Sequence, residues 1–451
     1  MPLICSSLSA NIPRILGLGR GSDNFTHSHI KTSHVFCSSF LSLHHKSPNT
    51  LLTHIAFVSK FDQNFSSPVM EEEHKMFGLV SEAEEYSEEL DVAVRAVQMV
   101  CSLYQKMQDT LISKPQSHND NFPITVAGWS VKAIVSWILF ECLRGENVSI
   151  LAEEDVQTLS KTNTSELLEA VVKTVNECLA EGPRFGIEEP KSPLGSSEFL
   201  EIISRCNSVG GPSGRFWVLG PLDGDQYAVA LSLIEDGEVV LGVLGCPNYP
   251  MRKDWFSYHR RYQRIISKLT PPTSETWNQG CVIYAKRGSG KAWIQPLLHV
   301  NKKFVWPNHA KQVSVSCIDN LAFATFCQPL EKANSSHSFT EGLALSVGLS
   351  NQTLRVYNNM LKYAAIACGD AEVFMKFARA GNKEKIWDHA AGAIIIEEAG
   401  GVVTDARGLP LDFSKGLYLE RLDRGIVACS GPTLHEKIID AVDVSWSSSC
   451  L

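Results

Sequence analysis

Apolar residues recur at three- and four-residue spacing across residues 84–112, where Ala93, Val97, Val100, Tyr104, Met107 and Leu111 form one stripe. That period predicts a long helix with a single buried face. Ile124-Thr125-Val126-Ala127 predicts a short strand, residues 130–143 a helix, and residues 148–151 a strand that delivers Glu153-Glu154-Asp155 to its end. A polar stretch at 160–165 leads into a helix that closes near Leu179. Phe216-Trp217-Val218-Leu219 has the unbroken apolar run of a buried strand, and residues 227–234 and 239–243 alternate on either side of Asp236-Gly237, a strong hairpin signal.

The run Lys286-Arg287-Gly288-Ser289-Gly290-Lys291-Ala292 invites comparison with a phosphate-binding loop. It fails that pattern, because Ala285 holds the first glycine position and Ala292 the Ser/Thr position. Flanked by Val282-Ile283-Tyr284 and Trp293-Ile294, it reads as a hairpin turn. The second half alternates strands at 314–318, 372–377, 401–404 and 425–428 with helices at 339–349, 359–368, 388–399 and 434–442. Two successive blocks of strands and helices predict a layered α/β fold.

A chain of 451 residues with 44% hydrophobic and 20% charged residues can bury a large core. The longest apolar stretch, 133–143, is too short to span a membrane. A net charge of −8 argues against a nucleic-acid backbone as ligand, so neither nucleic acid nor membrane is expected as a partner. Oligomeric state is not legible. The 13 cysteines are dispersed without metal-ligand spacing, which reads as free, structural thiols in a reducing compartment. Residues 252–268 are basic and aromatic, and read as a solvated connection. The first 60 residues carry Arg14, Arg20, Lys31, Lys46 and Lys60 against Asp23 alone; removing them leaves the remainder at −12. Ser-rich, basic and acid-poor, residues 1–69 read as an organellar transit peptide, mitochondrial before chloroplast, rather than a tail with no address. Residues 70–75 form an acidic linker.

The most particular string is Trp387-Asp388-His389-Ala390-Ala391-Gly392, ahead of an apolar run that stops at Gly400-Gly401. Asp388 stands where a helix should begin, so its carboxylate can act as an N-cap or hold a cation beside the positive helix end. The small residues after it would leave room for a metal ion and a phosphate. Acidic residues at strand ends (Glu153, Asp223) and at a helix start (Asp388) suit magnesium, a hard ion that binds oxygen.

With Glu397-Glu398-Ala399-Gly400-Gly401, that string resembles the C-terminal signature of the inositol monophosphatase superfamily, which are magnesium-dependent phosphatases. Lys385-Ile386-Trp387-Asp388-His389-Ala390-Ala391-Gly392 and Asp225-Gln226-Tyr227-Ala228-Val229-Ala230-Leu231 resemble its 3'(2'),5'-bisphosphate nucleotidase branch, over residues 88–442. The resemblance implies an αβαβα sandwich of two subdomains (70–300 and 301–451) with the site at their junction. It implies two or more Mg2+ ions held by Glu153, the backbone oxygen of Leu222, Asp223 and Asp388, with Glu154 behind Glu153. It implies a small-molecule nucleotide bisphosphate substrate, 3'-phosphoadenosine 5'-phosphate, hydrolysed to AMP and held by Gly224, His337, Asn359, Lys362, Lys376 and Asp388. For the two lysines the alternative is a solvated surface position. An inositol polyphosphate 1-phosphatase of the same fold and a non-catalytic nucleotide binder remain alternatives.

Three departures fall on the chemistry. Gly220 stands where the family's Asp-Pro-x-Asp-Gly-Thr motif begins with Asp, and the Thr is absent because Gly224 runs straight into Asp225. Gly128 stands where an Asp should follow the strand at 124–127. The resemblance pairs that Asp with the Thr to take the proton of the attacking water, and losing such a dyad costs roughly 10²–10⁴-fold in rate. A weakened phosphatase is expected, with Asp225 able to replace part of the missing acid.

Overall fold

The amphipathic stripe becomes α1 (Ser87–Ser113), along which Ala93, Val97, Val100 and Tyr104 are buried. This computed structural model describes residues 85–113, 122–144, 148–152, 165–220, 227–249, 280–298, 302–304, 310–329, 337–349, 353–356, 359–377, 383–420, 422 and 425–449. Every described residue belongs to one compact unit, Val69–Leu451. The basic amino-terminal segment, the acidic linker and the connection at 252–268 lie outside the described residues.

After α1 come α2 (Phe122–Cys142), β1 (Ile150–Ala152), α3 (Ser165–Leu179) and α4 (Ser196–Ser204). The strands β2 (Arg215–Gly220), β3 (Val229–Glu235), β4 (Glu238–Cys246), β5 (Cys281–Lys286), β6 (Ala292–Pro296) and β7 (Lys311–Val313) join β1 in a seven-stranded sheet that follows chain order. Only β1 and β2 are parallel in it. The hairpin expected at Asp236-Gly237 forms, with positive φ at both residues, 49° and 82°, as a two-residue turn between twisted strands requires. The Lys286–Ala292 turn forms as well, and Glu398 holds it. Its carboxylate accepts the backbone N–H of Gly288 at 2.7 Å and of Gly290 at 2.6 Å. The turn is an anion nest filled by the chain's own glutamate.

The second half supplies β8 (Phe326–Pro329), α5 (His337–Ser346), β9 (Thr353–Val356), α6 (Asn359–Ala367), β10 (Val373–Lys376), β11 (Glu384–Lys385) and α7 (Ala390–Glu398). It closes with β12 (Val402–Asp405), β13 (Tyr418–Leu419), β14 (Ile426–Cys429) and α8 (Pro432–Ser449). A five-stranded sheet runs β12-β14-β10-β8-β9, and β11 with β13 forms a separate ribbon.

Three apolar clusters stack these elements. Trp217, Leu219, Leu231, Leu241 and Val243 on one face of the large sheet pack against α1 to α4. Its opposite face (Val218, Ala230, Leu244, Ile283) meets α6 and α7, which also cover Phe374, Val403 and Ala428 of the small sheet. The far face of the small sheet (Phe326, Met375, Val427) packs on α5 and α8 through Leu343, Leu434 and Ile438. The order is helix, sheet, helix, sheet, helix, the layered α/β sandwich expected.

Local expectations fail where burial overrides them. Residues 124–127 are not a strand but the first turns of α2, and Gly128 lies within that helix. Isoleucine, threonine and valine favour strands. Here, however, the run from Phe122 to Cys142 is apolar with no turn signal strong enough to break it, and Val126, Trp129, Val131 and Ile134 are buried. Over Thr125–Cys142 this helix is long and apolar enough to cross a membrane, contrary to the sequence reading, but 72% of it is buried inside the protein, as in a core helix. Residues 314–318 do not extend the sheet: only Lys311–Val313 pairs, and the Val315 N–H turns to the carbonyl of Ala399 at 3.1 Å. The elements α4, β8, β9 and the β11–β13 ribbon are short and gave no pattern. Every cysteine among the described residues is a free thiol, and only Cys317 is exposed.

Candidate active site

In the parallel pair β1 and β2, Ala152 stands opposite Leu219, and β2 ends one residue later at Gly220. Glu153 follows Ala152 directly, while Leu222, Asp223 and Gly224 come shortly after Gly220; these four lie outside the described residues. The strand ends from which they depart are neighbours in one sheet. Gly220 also touches the turn that carries Asp388. A β-carbon at Gly220 would stand 2.8 Å from the carbonyl oxygen of Trp387 and 2.6 Å from Cε of Met360. Two strand ends and one turn, far apart in the chain, therefore adjoin.

That turn is a 3-10 helix over Ile386–Asp388, with Ile386 and Trp387 buried and Asp388 half-buried. Asp388 is thus the last residue of the turn and not the N-cap of α7, as the sequence suggested; His389 takes the cap position and makes no side-chain cap bond. The cause is tertiary. The Ile386 N–H donates to the carbonyl of Leu417 at 3.1 Å and the His389 N–H to that of Ile386 at 3.1 Å, which closes the tighter turn before the helix starts. The small residues after it serve packing and not an open pocket. A β-carbon on Gly392 would lie 2.3 Å from the Tyr363 ring, and Ala391 approaches β4 so closely that only glycine fits at Gly242.

Behind Asp388 lies a buried polar network. Lys376 Nζ donates to Glu384 Oε2 at 2.7 Å, and His389 Nε2 reaches the same oxygen at 3.0 Å. On the other side of the ring, Tyr363 Oη and His389 Nδ1 are 2.8 Å apart. Burial pushes the Glu384 carboxyl up, but the hydrogen bond and charge of His389, and then of Lys376, outweigh it and hold the group at about 2. Burial, then the carboxylates of Glu384, Asp388 and Glu397, keep the Tyr363 phenol well above its ordinary range. An ionised carboxylate only accepts, so Nε2 carries the hydrogen it shares with Glu384, and Nδ1 is hydrogen-bonded to the Tyr363 hydroxyl. Ligand atoms of Glu384, Asp388 and His389 lie within 4.8 Å of one another. Both His389 nitrogens and one Glu384 oxygen are already engaged, so the group does not form a metal cage. Asp388, at its outer edge, is the member whose carboxylate fits a hard cation.

The other expected residues divide. Lys362 and Lys376 are not surface lysines: they are 1% and 7% exposed. The Lys362 ammonium lies 5.2 Å over the Phe374 ring, while that of Lys376 is committed to Glu384. His337 and Asn359 open α5 and α6, and their side chains lie outside the described residues. Gly128 lies inside α2 and does not follow a strand end as expected. Sequence reasoning passed over Glu384 and Tyr363 and gave His389 no role. Three residues separate Glu384 from Asp388, and the ribbon strand that places it is two residues long.

A profile of the inositol monophosphatase family matches residues 120–447. The chain is 55% identical over 374 residues to 3',5'-bisphosphate nucleotidase AHL of Arabidopsis thaliana, covering 80% of this chain and 98% of that protein. It is 37% identical over 369 residues to a 3'(2'),5'-bisphosphate nucleotidase of Oryza sativa, covering 79% and 95%. Among solved structures, the extragenic suppressor protein SuhB of Bartonella henselae matches with a TM-score of 0.45 and 16% identity, over 79% of this chain and all of that one. The signature around Asp388, the profile match and the extent of the identity agree: this chain belongs to the inositol monophosphatase family.

Proposed function

We propose that this chain is a magnesium-dependent phosphatase that removes the 3'-phosphate of 3'-phosphoadenosine 5'-phosphate to give AMP and phosphate. The observation that carries this reading is the 55% identity to a 3',5'-bisphosphate nucleotidase over nearly its whole length. The meeting of the β1 and β2 ends with the Asp388 turn supports it. Glu153, Asp223 and Asp388 would hold two or more Mg2+ ions, with the backbone oxygen of Leu222. When bound, the ions supply a more acidic water and offset the charge of the leaving oxygen. The chain's own residues position the ester: Asp388 from a turn fixed on both sides, and Lys362 from α6, with Gly224, His337 and Asn359 completing the nucleotide pocket. Positioning and charge neutralisation carry most of the rate in phosphoryl transfer.

Gly220 in place of an acid, and the run of Gly224 into Asp225, weaken the metal site relative to a chain with the full motif. The filled space beside Gly220 also favours a second reading, a nucleotide binder without turnover. Hydrolysis of 3'-phosphoadenosine 5'-phosphate, compared with inositol 1-phosphate and fructose 1,6-bisphosphate, tests the assignment. Preference for the nucleotide supports it; preference for either sugar phosphate contradicts it. The acid-poor residues 1–69 support an organellar address, mitochondrial before chloroplast. Imaging these residues fused to a fluorescent protein tests that address, and a diffuse signal contradicts it.

A further inference from the structure

Glu384, His389, Tyr363 and Lys376 come from four elements (β11, the start of α7, α6 and β10) and meet behind Asp388. All four are buried, His389 and Tyr363 completely. A buried ion pair is a poor source of stability, because desolvation of both ions offsets their attraction. What such a pair does supply is fixed geometry. One Glu384 oxygen, Oε2, accepts from both Lys376 and His389, so turning the carboxylate away breaks both bonds. The His389 ring is held at both nitrogens, by Glu384 on one and by the Tyr363 hydroxyl on the other, so its orientation is fixed as well.

The consequence reaches Asp388 through the backbone. Asp388 and His389 are consecutive, and Glu384 and Lys385 lock the chain just ahead of the turn through the ribbon with β13. The turn carrying Asp388 is therefore clamped at both ends, and Glu384 takes part in both clamps. We propose that Glu384 is the positioning residue for Asp388, holding the Ile386–Asp388 turn through its strand on one side and through the His389 ring on the other. The inference rests on the reading of Asp388 as a metal carboxylate. It also assigns Lys376: its ammonium is the counter-ion of Glu384, and it holds the turn from behind where a contact to the substrate was expected.

The test uses the full chain and Mn2+ as a spectroscopic probe, with affinity measured by electron paramagnetic resonance without substrate and steady-state kinetics run alongside. Loss of a residue that orients a metal ligand costs about 10–100-fold in metal affinity or activity. Glu384→Ala is expected to weaken Mn2+ binding and lower kcat by that order, with KM changed less than about threefold. Glu384→Gln, which still accepts the His389 Nε2–H, is expected to recover most of the affinity. Tyr363→Phe keeps the ring against Gly392 but drops the bond to Nδ1, and is expected to lose several-fold; it serves should the alanine variant fail to fold. Asp388→Asn is the control. Reduced Mn2+ affinity in Asp388→Asn with wild-type affinity in the Glu384 and Tyr363 variants overturns this inference alone. Unchanged affinity in Asp388→Asn overturns the reading of Asp388, and this inference with it.

Discussion

The carbonyl oxygen of Trp387 stands 2.8 Å from where a β-carbon on Gly220 would sit. The two residues close the gap between the last strand position of β2 and the turn of Asp388. The position that begins the family's acidic motif is thus filled by backbone from another part of the chain. Gly220→Asp must displace that carbonyl, which moves the residue just before Asp388. Overpacking of this kind costs roughly 1–3 kcal/mol. The variant is expected to unfold at lower denaturant concentration and to release phosphate no faster than the parent. A gain in magnesium-dependent turnover at unchanged stability contradicts this account of the site.

Gly392 presents the same argument on α7. With the Tyr363 ring 2.3 Å from where its β-carbon would stand, Gly392→Ala pushes α6 and α7 apart and strains the Tyr363–His389 bond. A loss of roughly 1–3 kcal/mol in denaturant unfolding is expected. A neutral result would show that the two helices have slack between them.

The pH dependence of stability follows from Glu384. Its folded carboxyl is held at about 2 against an ordinary 4.5, so the group binds its proton more readily in the unfolded chain. Its contribution is present above about pH 4.5 and is lost as pH falls toward 2. Glu384→Gln is expected to be less stable than the parent near neutrality, and the difference should shrink across that window. Urea unfolding at several pH values measures it, and a gap that stays constant down to pH 2 contradicts the pairing.

Glu398 supplies a prediction remote from the site. Glu398→Ala leaves the Gly288 and Gly290 N–H groups without their carboxylate, at a cost of about 1 kcal/mol. Faster hydrogen exchange at these two amides with unchanged phosphate release is expected. Unchanged exchange would mean that the turn holds itself.

Much of this was legible from residue pattern. The stripe of α1, the Asp236-Gly237 hairpin and the turn at 286–292 are local signals, set by periods and turn residues within a few positions. The signature around Asp388 located the carboxylate and the family. The failures share a cause. At 124–127 local strand preference lost to burial of the whole helix, and at Asp388 the predicted cap lost to a tight turn held by the Ile386 N–H on the Leu417 carbonyl. The Glu384 network needed Lys376, Tyr363 and His389 brought together from separate elements, which no short window contains. Lysine normally lies at the surface, so the burial of Lys362 and Lys376 followed from no feature of their neighbours in sequence.

Asp388 is the carboxylate on which cation-assisted phosphate release turns. Phosphate release from 3'-phosphoadenosine 5'-phosphate by the full chain and by Asp388→Asn, each with magnesium and after chelation, measures this directly. Release by the parent that requires magnesium and falls by at least roughly 10²-fold in Asp388→Asn is expected, the order lost when transition-state charge stabilisation is removed. Equal release from both chains, or release that survives chelation, contradicts it.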